Sequence, residues 1–250
     1  MKIQNDPKLF IIIQARMTST RLPKKVLLPL CEATVLEVML KRLERWKDNI
    51  IIATTDDGSE TPIVDLCRKI EIRYFKGSRD NVLSRYYNTA VKHGAKNNDT
   101  IVRLTSDCPL IDPEILKKTL DLYLDGDYDY VSNRINKTFP VGLDVEIFNF
   151  NALEESYINA RLEYEKEHVT PYMYLTQKEK FKIGSYEDRN DYSKYRLTLD
   201  EEDDYLAIKE VYKKLNNRTD FSYDELINIL ESNPYIYQIN NHVSQKKVIN

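Results

Sequence analysis

IIIQARMTSTRLPKKVL, residues 11–27, decides how the chain is read. It opens as an unbroken apolar run of the kind shown by a strand buried on both faces. It then places Arg16, Arg21, Lys24 and Lys25 within ten positions, with no acid among them. Thr18, Ser19 and Thr20 stand between the cations, so hydroxyls, backbone N–H groups and fixed charges leave the tip of one strand together. Such a turn holds a triphosphate, and a solvated basic loop has the same composition. It is neither a Walker A loop nor a G-x-G-x-x-G turn, for the whole chain has only six glycines.

The rest of the chain does not share this charge. Its 250 residues are 42% hydrophobic and 31% charged, enough for a sizeable core in one globular domain, and the formal net charge is −3. That balance argues against nucleic acid or an anionic membrane as a partner, so a polyanion must be met by a local cluster. Cys31, Cys67 and Cys108 are odd in number and form no C-x-x-C pair, which fits a reducing cytosol and not a structural zinc site. The opening MKIQNDPKLFIII does not have the shape of a secretory signal, and no apolar run approaches a transmembrane span. The expectation is a cytoplasmic protein.

Working outward from the first strand, apolar or β-branched runs recur at 10–14, 50–53, 72–75, 100–104 and 128–132. Helical stretches separate them. Thr34 and Glu37 spell a capping box for a helix to about Trp46, Thr61-Pro62 a second start, Asp80 a cap for a helix to Gly94, and Asp112-Pro113-Glu114 a fourth start. The alternation predicts an α/β fold: a mostly parallel sheet with helices on both faces and ligands at the carboxyl ends of the strands. After Val141 the rhythm changes. A strand is expected over 142–148, helices at 151–160 and 164–176, strands near 180–185 and 195–199, and two closing helices before a polar tail from Asn233.

Asp107, in VRLTSDCPLI (102–111), follows a strand expected to be central. It is a turn-capping acid or an acid holding a cation; one or two carboxylates plus phosphate oxygens are the usual magnesium arrangement. A second carboxylate is available from Asp200, at the end of YRLTLD (195–200), whereas the acids at 201–204 suit the first turn of a helix.

With these pieces in order, IIQARMTSTRLPKKVL, ATTDD, GSRDNVLSRYYNTA, VRLTSDCPLIDPEI, DYDYVSN, GLDVEIF, EKEHVTPYMY and RLTLDEEDDYLAI resemble the cytidylyltransferase family typified by the spore-coat SpsF-like proteins, related to the CMP-Kdo and CMP-sialic acid synthetases. The likeness spans about 9–215. It implies a Rossmann-like fold of the nucleotide-diphospho-sugar transferase kind, CTP as donor, Mg2+, pyrophosphate release and a homodimer. It further implies catalytic roles for Arg16, Lys25, Asp107 and Asp200, with Asp107 and Asp200 holding the metal. The nucleotide would be bound by Ala15, Arg16, Ser19, Arg21 and Lys25, with Ser78, Asp80, Arg85 and Arg103 toward the base and ribose. On its own pattern Asp80 reads equally as a helix cap, and Arg103 as the partner of an acid. The domain would run 1–232, with a nucleotide-binding part at about 8–140, an acceptor and dimerisation part at about 141–200, and a tail at 233–250. Three departures stand out: Lys24 where the family has glycine, Ser106 where it has glycine before the acid, and Asp-Glu-Glu-Asp-Asp at 200–204 where its pattern carries a proline.

The acceptor is expected from the second half. Asp144 and Glu146 alternate onto one face of the 142–148 strand. His168, beside Glu167, is a base, a carboxylate ligand or a helix histidine satisfied by a carbonyl. Arg134, Arg161 or Arg189 would suit an anionic acceptor such as a keto-acid sugar or a phosphorylated small molecule. Two other function classes stand beside transfer of a nucleotide: a glycosyltransferase, for which the D-x-D form Asp125-Gly126-Asp127 reads as a turn in a polar loop before a strand, and a catalytically inactive nucleotide-binding module.

Overall fold

The computed structural model describes residues 7–245. The first strand, β1 (Leu9–Gln14), sits inside a seven-stranded sheet whose order is β5-β4-β1-β6-β8-β7-β9. Here β4 is Ile50–Thr55, β5 Arg73–Gly77, β6 Thr100–Thr105, β7 Tyr130–Ser132, β8 Glu146–Asn149 and β9 Ile183–Ser185. Pro29–Leu30 (β2) and Ala33–Thr34 (β3) form a separate short hairpin. All neighbours in the large sheet run parallel except β8, which is antiparallel to both β6 and β7.

Both faces of the sheet are covered. Ile11 and Ile13 enter one apolar cluster, and Phe10 and Ile12 enter the other on the opposite face, because alternate side chains point to opposite sides. That is why the opening run is apolar at every position instead of alternating. The helices are α1 (Val35–Arg42), α2 (Thr61–Lys69), α3 (Val82–Lys92), α4 (Pro113–Asp125), α5 (Phe150–Asn159), α6 (Glu163–His168), α7 (Glu202–Lys214), α8 (Tyr223–Ser232) and α9 (Pro234–Asn240).

The expected capping box opens α1, and Asp112 caps α4 by accepting from the N–H groups of Glu114 and Ile115. Elsewhere the boundaries differ. The first helix stops at Arg42 and continues as a 3-10 turn, and Thr61 lies inside α2, whose cap is Glu60. Asn81, not Asp80, caps α3: its Oδ1 accepts from the Ser84 N–H at 2.8 Å, while Asp80 is exposed. The expected 142–148 strand begins only at Glu146, since Asn133 takes the backbone of 143–145 instead: its Nδ2 donates to Leu143 O and its Oδ1 accepts from Val145 N–H. The helix over 164–176 breaks at Val169, with φ 72°, and resumes as a π-turn at Tyr172–Thr176. No strand is formed at 195–199; a single parallel bridge, Val141 to Arg196, holds it. The polar tail contains the helix α9, and residues 246–250 of it lie outside the described residues.

β1 lies between β4 and β6, so the chain leaves it to one side and later returns to the other. This is a topological switch point, where the loops at the carboxyl ends part and leave a crevice. Gln14 and Thr105 are register partners, so the loops after 14 and after 105 start side by side.

Candidate active site

From that shared edge the loop after β1 folds back on itself. The Lys24 N–H donates to Met17 O at 3.0 Å, and Lys24 takes a left-handed conformation, φ 60°. This explains how the chain departs from the family's glycine: the backbone keeps the glycine-like conformation and accepts a strain of about 1 kcal/mol. The Lys24 side chain is exposed and does not line the cleft, while the turn that follows buries Lys25.

On the β6 side, the Ser106 N–H donates to Gln14 O, which fixes the start of the loop carrying Asp107. The 195–200 segment is then drawn in by backbone bonds: Leu197 N–H to Val141 O at 2.7 Å and Leu199 N–H to Asp107 O at 2.8 Å. Gly142 makes this approach possible. It has φ 106°, and a Cβ there would lie 2.5 Å from the Leu197 carbonyl carbon. Asp200 thus arrives opposite Asp107 although 93 positions separate them in sequence.

The two carboxylates meet on one ammonium. Lys25 Nζ lies 2.5 Å from Asp107 Oδ2 and 2.8 Å from Asp200 Oδ1. Burial would lower the lysine pKa, but the two acids outweigh it and raise it above its ordinary value. Burial likewise pushes both carboxyl groups up, and Lys25 reverses this, so Asp107 and Asp200 both fall below the usual carboxylate range; Arg21 and Arg196 assist at Asp200. All three groups are charged at neutral pH. Arg21 Nη2 stands 3.0 Å from Asp200 Oδ2 and its Nη1 3.0 Å from Glu201 Oε1.

These groups line one end of a cleft of about 520 Å³, together with Ala15, Arg16 and Ser19. Arg16 is exposed there and has no ion pair among the described residues. Arg79, Asp80 and Arg85 line the side toward α3. Arg85 is almost wholly buried, its Nη1 donates to Ser78 O, and burial lowers its pKa to about 10. Ser78 itself does not line the cleft: its hydroxyl accepts from the Asn81 N–H, at the helix start.

The far end holds the acceptor candidates. Arg103 is buried and paired with Glu146 at 2.8 Å, and Glu146 also accepts from the Thr170 hydroxyl, so both expected ligands are occupied by one another. Asp144 sits before β8 rather than within it, yet it still faces the cleft, 3.6 Å from Arg134 Nε. Burial raises the Asp144 carboxyl pKa. His168, at the end of α6, is half-buried in the cleft wall, and burial lowers its pKa, leaving the imidazole neutral at pH 7. Arg161 and Arg189 do not line the cleft; Arg161 donates to Ile158 O and Ala160 O. A basic acceptor pocket therefore reduces to Arg134. The Asp125-Gly126-Asp127 stretch ends α4 and Asp127 pairs with Lys182, away from the cleft, as a turn.

Sequence reading did not single out Arg79, Thr170, Tyr174, Thr198 or Gln245 as cleft residues, nor Arg196 and Asp204 behind Asp200. RLTLDEEDD carried a signal for the last pair, because Arg196 and Asp200, and Asp200 and Asp204, are each four apart.

With the crevice and its charges defined, comparison with known proteins places the chain. The cytidylyltransferase family profile matches residues 10–240, and the chain belongs to that family. It is 35% identical over 245 residues to the spore coat polysaccharide biosynthesis protein SpsF of Bacillus subtilis, covering 90% of this chain and 95% of that one. It is 38% identical over 244 residues to an uncharacterized protein of Methanocaldococcus jannaschii, covering 96% and 97%. A solved cytidylyltransferase from Leptospira borgpetersenii superposes with a TM-score of 0.87 at 37% identity, covering 96% of this chain and 99% of that chain. The fold is the nucleotidyltransferase fold.

Proposed function

We propose that this chain transfers CMP from CTP to an oxygen of a small anionic acceptor, releasing pyrophosphate, in the making of a surface polysaccharide or glycoconjugate. The observation that carries the reading is the meeting of Asp107 and Asp200 on a single cation beside the turn that bears Arg16 and Arg21. Two carboxylates that both reach one ammonium can both reach one divalent ion, and a donor set of two acids completed by phosphate oxygens and water fits Mg2+. Among the described residues no third acid, histidine or cysteine joins them, so the nucleotide would complete the set. When bound, the ion would neutralise charge on the phosphates and on the attacking oxygen.

The chain's own residues supply the rest. CTP brings about four negative charges, and an anionic acceptor must approach its α-phosphorus in line. Arg16, Arg21 and Lys25 would face the β- and γ-phosphates, where the P–O bond to the leaving pyrophosphate breaks as the bond to the acceptor oxygen forms. Arg85, Arg79 and Asp80 border the place left for ribose and base. Arg134 lines the cleft beside Asp144, at 3.6 Å, where its guanidinium would meet the acceptor's anionic group. Neutral His168 suits a proton acceptor for a hydroxyl nucleophile.

No helix among the described residues is long and apolar enough to cross a membrane. Exposed Tyr157, Ile158, Leu162 and Leu175 on the stretch from α5 to the π-turn give a second copy of the chain an apolar surface, supporting the homodimer.

The test is a screen of keto-acid sugars and phosphorylated small molecules by pyrophosphate release, with CTP against ATP, GTP and UTP. CTP-dependent release with at least one acceptor is expected. Release of UDP or GDP from nucleotide sugars would instead make the chain a glycosyltransferase, and thermal stabilisation by CTP without turnover would make it an inactive binding module.

A further inference from the structure

Behind Asp200 lies a group of buried polar side chains, Arg196, Asp204 and Asn240, that do not line the cleft. Asp204 is fully buried at the start of α7. Its Oδ1 accepts from Arg196 Nε at 2.8 Å and Asn240 Nδ2 at 2.9 Å, and its Oδ2 from Arg196 Nη2 and from the backbone N–H groups of Asp200 and Glu201, each at 3.0 Å. The pair Arg196–Asp204 is thus a fork-to-fork contact, the most directional ion pair side chains make. Arg196 Nη2 is shared: it also lies 3.1 Å from Asp200 Oδ2, while Arg196 Nη1 donates to Gln245 at the cleft wall. Asn240, on α9, donates a second bond to Arg196 O.

The two oxygens of Asp200 are therefore treated differently. Oδ2 is held by the guanidinium groups of Arg196 and Arg21, and Oδ1 alone is turned toward Asp107 and Lys25. We infer that Arg196, fixed by Asp204 and by Asn240 of the C-terminal helix, is the positioning residue of the metal site: it anchors one oxygen of Asp200 so that the other is presented for the ion. This rests on the reading of Asp107 and Asp200 as metal ligands given above. Groups that orient a metal-binding carboxylate from behind are worth about 10- to 100-fold in metal affinity.

The experiment measures Mn2+ affinity by electron paramagnetic resonance in the presence of a non-hydrolysable CTP analogue, for the full chain and for Arg196→Gln and Arg196→Lys. CTP-analogue affinity in EDTA and the melting temperature are recorded for each. Mn2+ affinity is expected to fall about tenfold or more in Arg196→Gln, with analogue affinity in EDTA unchanged. Turnover should be recovered in part at high metal concentration. Arg196→Lys keeps the charge but replaces the planar fork that holds both oxygens of Asp204 and one of Asp200 with a single mobile ammonium, so it keeps the fold and falls between. It decides the matter if the glutamine variant does not fold. Unchanged Mn2+ affinity in a folded variant, or an equal loss of analogue affinity in EDTA, would overturn the inference. If the unaltered protein binds no Mn2+ with the analogue, the metal-site reading itself fails, a result distinct from either.

Discussion

Replacing Asp107 by asparagine is expected to lower kcat for cytidylyl transfer by about two to three orders of magnitude in a chain that still folds. Asparagine has the same shape and leaves the bond from Leu199 N–H to Asp107 O, which belongs to the backbone. What it removes is a charge aimed at the ion that would stabilise the phosphates as the bond to pyrophosphate breaks. Loss of one such preorganised electrostatic group costs on the order of 3–4 kcal/mol in the transition state. The loss should appear in kcat more than in the KM for CTP, because Arg16, Arg21 and Lys25 still meet the triphosphate. A loss below tenfold in steady-state assays would remove Asp107 from the chemistry.

The second large effect concerns Lys25, which the resemblance assigns to phosphate and the structure finds bridging two acids. Without nucleotide, the ammonium fills the point where the two carboxylates converge and neutralises part of their repulsion. Lys25→Met should therefore act in opposite directions on two measurements. Turnover should fall about a hundredfold, from the loss of a phosphate cation. Mn2+ binding in the absence of nucleotide, weak in the unaltered protein, should become measurable, because two facing acids now lack an internal counter-ion.

The same change reshapes the pH dependence of stability. In the unaltered protein the carboxyl pKa values are depressed, so their contribution is present above the ordinary carboxylate range and is lost as pH falls through the depressed values. In Lys25→Met two close acids repel, one carboxyl pKa rises above its unfolded value, and the cost is relieved as pH falls through that raised value. The variant should melt at a higher temperature near pH 5 than near pH 8. A parallel pH profile for variant and parent, with no gain in Mn2+ binding, would mean that Lys25 does not occupy the metal's place.

Local pattern carried most of the fold. The five apolar runs before 133 each overlap a strand of the large sheet, and the caps at Thr34 and Asp112 sit where side-chain chemistry places them. The failures share a cause: a nonlocal contact overrides a local pattern. Alternation over 142–148 reads as strand, but Asn133 captures the backbone there. RLTL reads as strand, but the close approach at Gly142 leaves room for one bridge only.

Of the site, Arg16, Ser19, Arg21, Lys25, Asp107 and Asp200 are legible in the sequence, and the fold brings them together in one cleft. The charge content of loops at strand ends is visible in sequence, and so their company follows once the topology is guessed. Pairing inside the cleft is not visible. That Arg103 faces Glu146 depends on the antiparallel placement of β8 next to β6, and that Arg134 stands beside Asp144 on the antiparallel pairing of β7 with β8, which no single run of residues encodes. Ser78 stays outside the cleft for a local reason: its hydroxyl accepts from the Asn81 N–H at the start of α3.

The most direct test of the central claim is a crystal structure with CTP and Mn2+, using the anomalous signal to locate the metal. The account predicts an ion within coordination distance of both Asp107 and Asp200 and of phosphate oxygens, with the Lys25 ammonium moved from between the acids onto the triphosphate. A nucleotide bound with its metal away from these two carboxylates, and Lys25 still bridging them, would contradict it.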